Sequence, residues 1–248
     1  MSTRTLTREA RVHNPAGVGC RFRHALSSEG LSLIAEIKRR SPSRGALRED
    51  ADARALAVEY QRGGASCLSV LTDSQLFGGS SQDLRDACDA SDLPVLRKDF
   101  LTTHVHVHET HQMGADAMLV IVEDMESTKL RPLQELALTL GIDVLTEVRT
   151  EAELDLAVGQ GAYMIAVNQR DDPKNSHPTV DYNKALRIAG MFDQLPPGII
   201  KVAASGIGVP DGTPLADIAA AGYDAALVGE ALVTASNPAG AIRNLLRS

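Results

Sequence analysis

The sequence predicts a single-domain α/β protein, a (β/α)8 barrel of the TIM type, on three observations. Eight short apolar runs alternate with segments of helical periodicity over roughly 220 residues, the usual size of such a barrel. Several of the helical segments end in Gly, as helices often do. No linker or low-complexity segment divides the 248 residues. A doubly wound open sheet is the alternative, but it would not need eight regular units, and no GxGxxG follows the first strand.

The strand predictions rest on short apolar runs bounded by polar residues and turn signals. In chain order they are SLIAEIK (32–38), CLSVLT (67–72), PVLRKD (94–99), AMLVIV (117–122), DVLTEV (143–148), YMIAVN (163–168), IIKVAASG (199–206) and AALVG (225–229). Runs that are apolar on both faces are typical of parallel strands, which helices cover on each side.

The segments between these strands predict the crossover helices, followed by one helix after the last strand. They are residues 51–64, 81–90, 104–114, 127–141, 151–161, 182–192, 214–222 and 238–247. Residues 1–20 are polar and predict a short N-terminal extension, a loosely held arm or a short helix. The barrel domain is therefore assigned to residues 21–248.

Composition excludes several classes of partner. The net charge is −7 and the pI is about 5.5, which argues against a general nucleic-acid binder. Trp is absent and aromatic residues make up 3% of the chain, so base-stacking surfaces are not expected. An anionic ligand would need a local cluster of Lys or Arg.

The chain carries the features of a cytoplasmic protein. The first 20 residues lack the apolar stretch of a signal peptide, and no apolar run approaches a membrane span. Cys20, Cys67 and Cys88 are widely spaced without a CxxC pattern, which predicts reduced structural thiols.

Polar residues lie at the predicted carboxyl ends of the strands, where barrel enzymes carry their active sites. Glu36 and Lys38 share one face of the first strand, an arrangement costly in a core and natural at an active site. Two lysines in a partly dry site lower each other's pKa and so favour proton donation near neutrality. A solvated rim would also be polar, but this convergence favours an active site. The strand-end residues are Glu36, Lys38, Thr72, Asp73, Lys98, Asp99, Glu147, Asn168, Arg170 and Ser205.

Two Gly-containing turns follow the seventh and eighth strands, ASGIG (204–208) and LVGEAL (227–232). In barrels of this kind these loops often bind phosphate through backbone N–H groups. Gly206, Gly208 and Gly229 would let the backbone approach an anion closely, although glycines also serve simply to make tight turns.

Several longer segments carry a resemblance to a known family. In order they are IAEIKRRSPSRG, SVLTDSQLFGGSSQDL, PVLRKDF, GADAMLVI, VLTEV, VNQRD, SGI and ALVGEAL. With them the chain resembles the indole-3-glycerol phosphate synthase family of tryptophan biosynthesis from about Phe22 to Leu246. The resemblance implies a cytoplasmic carboxy-lyase that closes the pyrrole ring of 1-(2-carboxyphenylamino)-1-deoxyribulose 5-phosphate with loss of CO2 and water. It implies no metal or organic cofactor and a small sugar-phosphate substrate. The expected assembly is a monomer or weak dimer, without nucleic acid or membrane.

The resemblance also assigns roles to individual residues. The general acid of the family falls on Lys98, and its second lysine, near the substrate carboxylate, falls on Lys38. The carboxylates that could remove a proton during dehydration fall on Glu147 and Glu36. Asn168 also falls among the catalytic residues of the family, where it lines the site and steadies it. The remaining matches are substrate contacts at Arg170, Ser205 and Ser41, and a phosphate site at Ser41, Gly206, Gly229 and Glu230. Glu230 could serve phosphate only through its backbone N–H, because its carboxylate would repel the anion.

Ala204 is the clearest of several departures from the family pattern. The seventh strand of the family usually ends in Glu-Ser-Gly, and here it reads Ala204-Ser205-Gly206; the N-terminal extension is also expected to be shortened. Three functions stay open: the ordinary synthase, a paralogue that closes the ring of a modified aminobenzoate-derived sugar phosphate, and a weakly active or non-catalytic phosphate-binding barrel. The retained acids and bases argue against the last.

The run HVHVHETH could suggest a metal site. On a helix His104, His108 and His111 would share one face and could hold zinc. No carboxylate or Cys completes an obvious tetrahedral set, so a solvated helix face is the better interpretation and no metal is predicted.

Overall fold

The computed structural model describes residues 20–171, 174 and 178–247. Its eight long strands are parallel and form one closed barrel, which confirms the predicted fold. They are β1 (Ser32–Ile37), β2 (Cys67–Leu71), β3 (Val95–Lys98), β4 (Ala117–Ile121), β5 (Asp143–Val148), β6 (Met164–Asn168), β7 (Ile200–Ala204) and β8 (Ala225–Val228). β1 closes the barrel, because its Ile34 pairs with Cys67 of β2 and with Leu227 of β8.

A helix follows every strand in the predicted order. The helices are α1 (Arg21–Leu26), α2 (Ala53–Gly63), α3 (Ser81–Ala90), α4 (His104–Met113), α5 (Ser127–Thr139), α6 (Glu151–Gly159), α7 (Lys184–Ala189), α8 (Leu215–Ala220), α9 (Glu230–Val233) and α10 (Pro238–Leu245). Short 3-10 turns at Val122–Asp124 and Phe192–Gln194 and a two-residue hairpin, Arg40–Ser41 with Gly45–Ala46, complete the described elements. No helix in the described part of the chain is long and apolar enough to cross a membrane.

Two helices were not predicted. α1 lies in the segment just before β1, and α9 occupies the stretch after β8 that was interpreted only as a turn. Residues 1–19 of the predicted N-terminal arm lie outside the described residues, so the boundary between arm and barrel stays a prediction.

The helices that follow β2, β3 and β5 begin at side-chain caps. Ser80, Thr103 and Thr150 are in extended conformation, and each hydroxyl accepts a hydrogen bond from the backbone N–H three residues later. Such caps satisfy one of the free N–H groups at a helix start. They set where these helices begin, and so limit the length of the loops that follow these strands.

α1 closes the amino-terminal end of the barrel. Phe22 and Leu26 are buried and pack against barrel-interior residues such as Leu145. Arg23 Nε lies 3.1 Å from Asp143 Oδ1 at the start of β5. Burial raises the pKa of Asp143 above its usual value, although the hydrogen bond from the Arg23 backbone and the charge of Arg23 oppose it. With this end plugged, the open end is the one at the carboxyl termini of the strands.

The three cysteines are free thiols, as predicted. Cys67 is buried in β2, and burial raises its pKa above the ordinary thiol value. Burial also raises the pKa of Cys88 to about 11. Neither thiol has the depressed pKa of a reactive cysteine, which supports a structural role.

A bidentate ion pair ties the loop after β1 to the start of α3. Arg39 donates to both carboxylate oxygens of Asp83, at 2.7 and 2.8 Å, and to the carbonyls of Gly78 and Ala51. Ser80 Oγ donates to Asp83 as well, at 2.8 Å. Burial raises the pKa of Asp83, but the hydrogen bonds from Arg39 and Ser80 outweigh it and hold the pKa below its usual value. The pair therefore restrains the loop that begins directly after Lys38.

We expect Asp83→Asn to lower the free energy of unfolding at pH 7 by about 2 kcal/mol, since the Arg39 guanidinium loses a charged partner. A carboxyl with a depressed pKa stabilises the folded state above its unfolded pKa and loses that contribution as the pH falls through the folded value. The difference in unfolding free energy between the parent and Asp83→Asn should therefore become smaller as the pH is lowered. Urea unfolding of both proteins at pH 7 and at decreasing pH measures it.

Asp89→Asn is the matched control, because Asp89 is exposed on the same helix and, among the described residues, pairs with exposed Arg54. Its effect should stay within about 0.5 kcal/mol. An equal loss in the two variants, or a pH-independent loss in Asp83→Asn, would contradict the structural role of the Arg39–Asp83 pair.

Candidate active site

A cleft opens at the carboxyl ends of the strands, where barrel enzymes bind their ligands. Every strand or the loop after it contributes to its lining. The structure brings nearly all the sequence-predicted site residues together here: Glu36, Lys38, Lys98, Glu147, Asn168, Arg170, Ser205, Gly206, Gly229 and Glu230. Ser41, Thr72 and Gly208, which the sequence also singled out, do not line the cleft.

Glu36 lies between the two lysines. Lys38 Nζ donates to Glu36 Oε1 at 2.6 Å, and Lys98 Nζ lies 3.9 Å from Glu36 Oε2. The alternation of side chains on β1 places Glu36 and Lys38 on the same face, as predicted. Glu36 and Lys38 are buried, whereas the side chain of Lys98 is 15% exposed and has a looser contact with the carboxylate.

Burial and the neighbouring charges together set the pKa values of Glu36 and Lys38. Burial raises the pKa of Glu36, but the positive charges of Lys38 and Lys98 outweigh it and hold the pKa below its usual range. Burial lowers the pKa of Lys38, and nearby Arg170 and Lys98 add to the effect while Glu36 opposes it. Glu36 is therefore a stable anion that compensates the two lysines.

Glu147 is held through only one of its oxygens. Asn168 Nδ2 donates to Glu147 Oε1 at 2.9 Å, and Arg149 Nη2 donates to the same atom at 3.0 Å. No residue in the described part of the chain donates to Oε2. The buried carboxylate is thus oriented by two donors and keeps one oxygen available to a ligand in the cleft.

Arg170 links β6 to the loop after β1. Its backbone N–H donates to Asn168 Oδ1 at 3.0 Å, which orients the amide that contacts Glu147. Its guanidinium Nη1 donates to Ser43 Oγ. Burial lowers the pKa of Arg170 from its usual value, with Glu36 and Glu230 opposing the shift. Arg170 therefore places a cation in the cleft and connects two loops around it.

The turn after β7 has left-handed backbone at Ser205, Gly206 and Gly208, with φ of 70°, 67° and 71°. A Cβ on Gly206 would lie 2.5 Å from Tyr182 Cε1, so this position requires glycine for both conformation and space. Gln169 Nε2 donates to the Ser205 carbonyl at 2.8 Å and stabilises the turn from β6. The predicted tight turn is therefore held against the cleft.

Gly229 is needed for a reason that the sequence did not suggest, while its predicted approach to an anion stays a prediction. Its φ is −120°, which any residue can adopt, but a Cβ there would lie 2.4 Å from Glu36 Oε1 and 2.9 Å from Lys38 Nζ. The missing side chain makes room for the buried ion pair. The neighbouring Glu230 carboxylate lies 3.0 Å from Arg44 Nε, so its charge is compensated by a residue of the loop after β1.

Ser41 and the histidine run lie away from the cleft. The Ser41 hydroxyl is buried and has no hydrogen-bond partner among the described residues, so its predicted ligand contact stays a prediction. His104, His108 and His111 are exposed on α4, as expected for a solvated face. Within the described residues, no group of three His, Cys, Asp or Glu side chains is arranged to hold a metal.

The sequence reasoning missed Arg149, which lines the cleft, and three residues that contact cleft-lining residues. Arg149 lies two residues after Glu147, as Lys38 lies two residues after Glu36. Since side chains two apart on a strand share a face, the sequence could have identified Arg149. The sequence could not predict the contacts of Ser43, Arg44 and Gln169, because the partners of these residues are distant in the chain. The cleft also has an apolar wall, formed by Leu71, Phe77, Phe100, Leu119, Ile121, Ala204, Ile207, Val209 and Leu227.

The arrangement can hold a ligand that combines an apolar ring with anionic groups. Lys38, Lys98 and Arg170 supply positive charge around the apolar wall. Lys98 can donate a proton, and the free oxygen of Glu147 can accept one. Acid–base chemistry on a small anionic molecule follows from these positions.

Comparison with known proteins gives consistent results. A family model described as indole-3-glycerol phosphate synthase matches residues 5–245. Similar curated proteins with that name include one from Mycobacteroides abscessus, 44% identical over 223 residues, which cover 90% of this chain and 79% of the relative. Another from Beutenbergia cavernae is 42% identical over 218 residues, covering 88% and 78%. A third from Streptomyces griseus is 43% identical over 224 residues, covering 90% and 80%.

Proposed function

This chain belongs to the indole-3-glycerol phosphate synthase family, and on that premise we propose how its cleft closes the indole ring of 1-(2-carboxyphenylamino)-1-deoxyribulose 5-phosphate. The reaction is a carboxy-lyase step of tryptophan biosynthesis that releases CO2 and water. The observation that carries the proposal is the meeting of two lysines and two glutamates beside an apolar wall in one cleft. Such a cleft suits a substrate with an aromatic ring, a carboxylate and a sugar phosphate.

Lys98 acts as the general acid. The aromatic carbon that bears the carboxylate forms a bond to the ketone carbon, and the ketone oxygen takes up a proton as its double bond breaks. Lys98 suits this donation because its ammonium is partly exposed to the cleft and lies 3.9 Å from the nearest carboxylate oxygen. Lys38, at 2.6 Å from Glu36, is held more firmly. Lys38 instead attracts the substrate carboxylate that leaves as CO2.

In the dehydration the hydroxyl formed from the ketone oxygen takes up a second proton from a lysine ammonium of the cleft and leaves as water, while Glu147 accepts the proton lost from the adjacent carbon as the ring double bond forms. The sequence could not choose between Glu147 and Glu36. Glu36 has a lysine at each oxygen and a pKa held below its usual range by these lysines, which outweigh its burial, so it is a poor base. Glu147 has an oxygen without a donor among the described residues and faces the cleft. Asn168, Arg170 and Ser205 line the same space and position the substrate.

The substrate phosphate binds between the turns after β7 and β8. Gly206 and Gly229 bring the backbone close to the cleft, and Arg170 is a cation on the same side of the barrel. Glu230 contributes through its N–H, while Arg44 compensates its carboxylate. Ser41 does not line the cleft and its buried hydroxyl has no partner among the described residues, so its contact with the phosphate stays a prediction.

We also propose that the protein is cytoplasmic and acts as a monomer or weak dimer without a cofactor. The biosynthetic role of the family and the three free thiols support this location. The cleft is lined by residues of one chain around a complete barrel, so a second copy would not be needed to build it.

Lys98→Ala should lower kcat by about 10²- to 10⁴-fold and leave the fold intact, because the reaction loses its proton donor. Lys98→Arg should not restore activity, since a guanidinium does not release its proton in this pH range. Steady-state indole fluorescence measures turnover, and circular dichroism checks the fold. Lys129→Ala, on an exposed face of α5, is the matched control. Turnover of Lys98→Ala within a few-fold of the parent would remove Lys98 from the acid role.

Sulfate or phosphate soaked into crystals should bind between Gly206 and Gly229. Inorganic phosphate should inhibit competitively, and Ser41→Ala should weaken that inhibition by about tenfold if its hydroxyl contacts the anion. Ser91→Ala, distant from the cleft at the end of α3, should leave the inhibition constant unchanged. An anion bound only near the exposed histidines of α4 would refute the phosphate assignment, and unchanged inhibition in Ser41→Ala would remove Ser41 from it.

Ala204→Glu tests the departure from the family pattern. Ala204 is buried, lines the cleft and pairs with Asn168 and Leu227 on the flanking strands. We expect Ala204→Glu to raise kcat/KM on the substrate named above, because a preorganised carboxylate helps where the chemistry places a proton or hydroxyl to meet it. Ala204→Gln adds the same volume without charge and should not raise kcat/KM.

A fully active parent that Ala204→Glu does not improve would show that alanine suffices at this position. A weakly active parent with lower kcat/KM after the substitution would favour the second function, ring closure on a modified aminobenzoate-derived sugar phosphate. The space left by the alanine side chain is the observation that favours this alternative.

A further inference from the structure

We propose that Arg149 is a positioning residue of the ring-closing reaction, which holds the Glu147 carboxylate in one orientation. The inference rests on the role proposed for Glu147. It assigns a function to a second residue, Glu123, which anchors Arg149 from the rim of the cleft. Together with Glu147 and Asn168 they form a row of alternating donors and acceptors at the carboxyl ends of β4, β5 and β6.

The backbone fixes Arg149 beside Glu147. The residue directly follows β5, two positions after Glu147, so both side chains leave the strand on the same face. Its backbone N–H donates to Glu153 Oε2 at 2.7 Å, and Thr150 caps the α6 helix to which Glu153 belongs. The start of α6 thus determines where the Arg149 side chain begins.

The guanidinium bridges two carboxylates. Nη2 donates to Glu147 Oε1 at 3.0 Å, and Nη1 donates to Glu123 Oε2. Asn168 also donates to Oε1, so Arg149 and Asn168 share this oxygen as their acceptor. The other oxygen, Oε2, has no donor among the described residues and is available to the cleft that Glu147 lines. A rotation of the carboxylate would break both hydrogen bonds. Arg149 therefore contributes to the orientation that makes Glu147 usable as a base.

The charge of Arg149 matters because Glu147 is deeply buried. The Glu147 side chain is 2% exposed and that of Arg149 is 8% exposed. An ionised carboxylate at such a site is costly without a charged partner. The cations Lys38 and Lys98 are engaged with Glu36 instead. Arg149 is the cation in direct contact with Glu147 among the described residues.

A direct substrate contact explains Arg149 less well. Both terminal nitrogens already donate to carboxylates, and the Nε atom is buried without an acceptor among the described residues. Binding a substrate anion would require breaking one of these contacts. Glu123, whose side chain is 49% exposed, keeps the guanidinium in place from the solvent side.

The test is a double-mutant cycle with Arg149→Gln, Glu147→Gln and the combined variant. Arg149→Gln should lower kcat by about 10²-fold through misplacement of the base, with KM within a few-fold of the parent. The combined variant should be no slower than Glu147→Gln, because Arg149 acts through Glu147. Arg149→Lys keeps a cation and should recover part of the lost kcat.

Arg54→Gln is the matched control. Arg54 also lies near two carboxylates, Asp86 and Asp89, but on the outer surface of the barrel. Its kcat and KM should equal those of the parent. Unchanged kcat in Arg149→Gln, a loss confined to KM, or losses that multiply in the combined variant would each overturn the proposal.

A structural measurement separates this inference from the proposed function. Crystal structures of the parent and of Arg149→Gln require no activity, and the variant should show the Glu147 carboxylate rotated or disordered. An unmoved carboxylate would refute the positioning role. If the parent fails to turn over the proposed substrate, the proposed function fails, while the crystal comparison still decides whether Arg149 positions Glu147.

Discussion

Closure of the sheet through β1 is the interaction on which the rest of the structure depends. Parallel pairing of Ile34 with both Cys67 and Leu227 joins the first strand to the second and the last. Because all the strands run in the same direction, closure collects their carboxyl ends into one ring. Lys38, Lys98 and Glu147 are far apart in the chain and line one cleft for this reason.

Residues of the same type have different proposed roles because their charges are paired differently. Glu36 and Glu147 are both buried glutamates at strand ends, but Glu36 neutralises two lysines while Glu147 keeps an oxygen without a donor among the described residues. In the same way Lys38 is held at short distance and Lys98 is not. The proposed roles follow from these differences in contact, because a group that is already fully paired is a poor proton donor or acceptor.

The loops around the cleft are connected by contacts that reach across the barrel mouth. The loop after β1 is linked to α3 through Arg39 and Asp83, to β6 through Ser43 and Arg170, and to α9 through Arg44 and Glu230. These contacts place polar backbone and charged side chains around a largely preformed site. Preorganisation of this kind lowers the cost of orienting polar groups when charge develops during the reaction.

Residue order by itself determined the fold class, the order of strands and helices, and most of the residues that line the cleft. Apolar runs, helical periodicity and side-chain alternation are local properties, and the barrel topology converts position at a strand end into position at the site. Only the tertiary structure revealed the contacts between residues that are distant in the chain. One example is the packing of α1 against the amino-terminal end of the barrel, and another is the ion pair between Arg44 and Glu230. A third is the requirement for glycine at 229, where Glu36 and Lys38 leave no space for a side chain. The tertiary structure also separated Glu147 from Glu36, because which oxygen is free depends on the side chains of neighbouring strands.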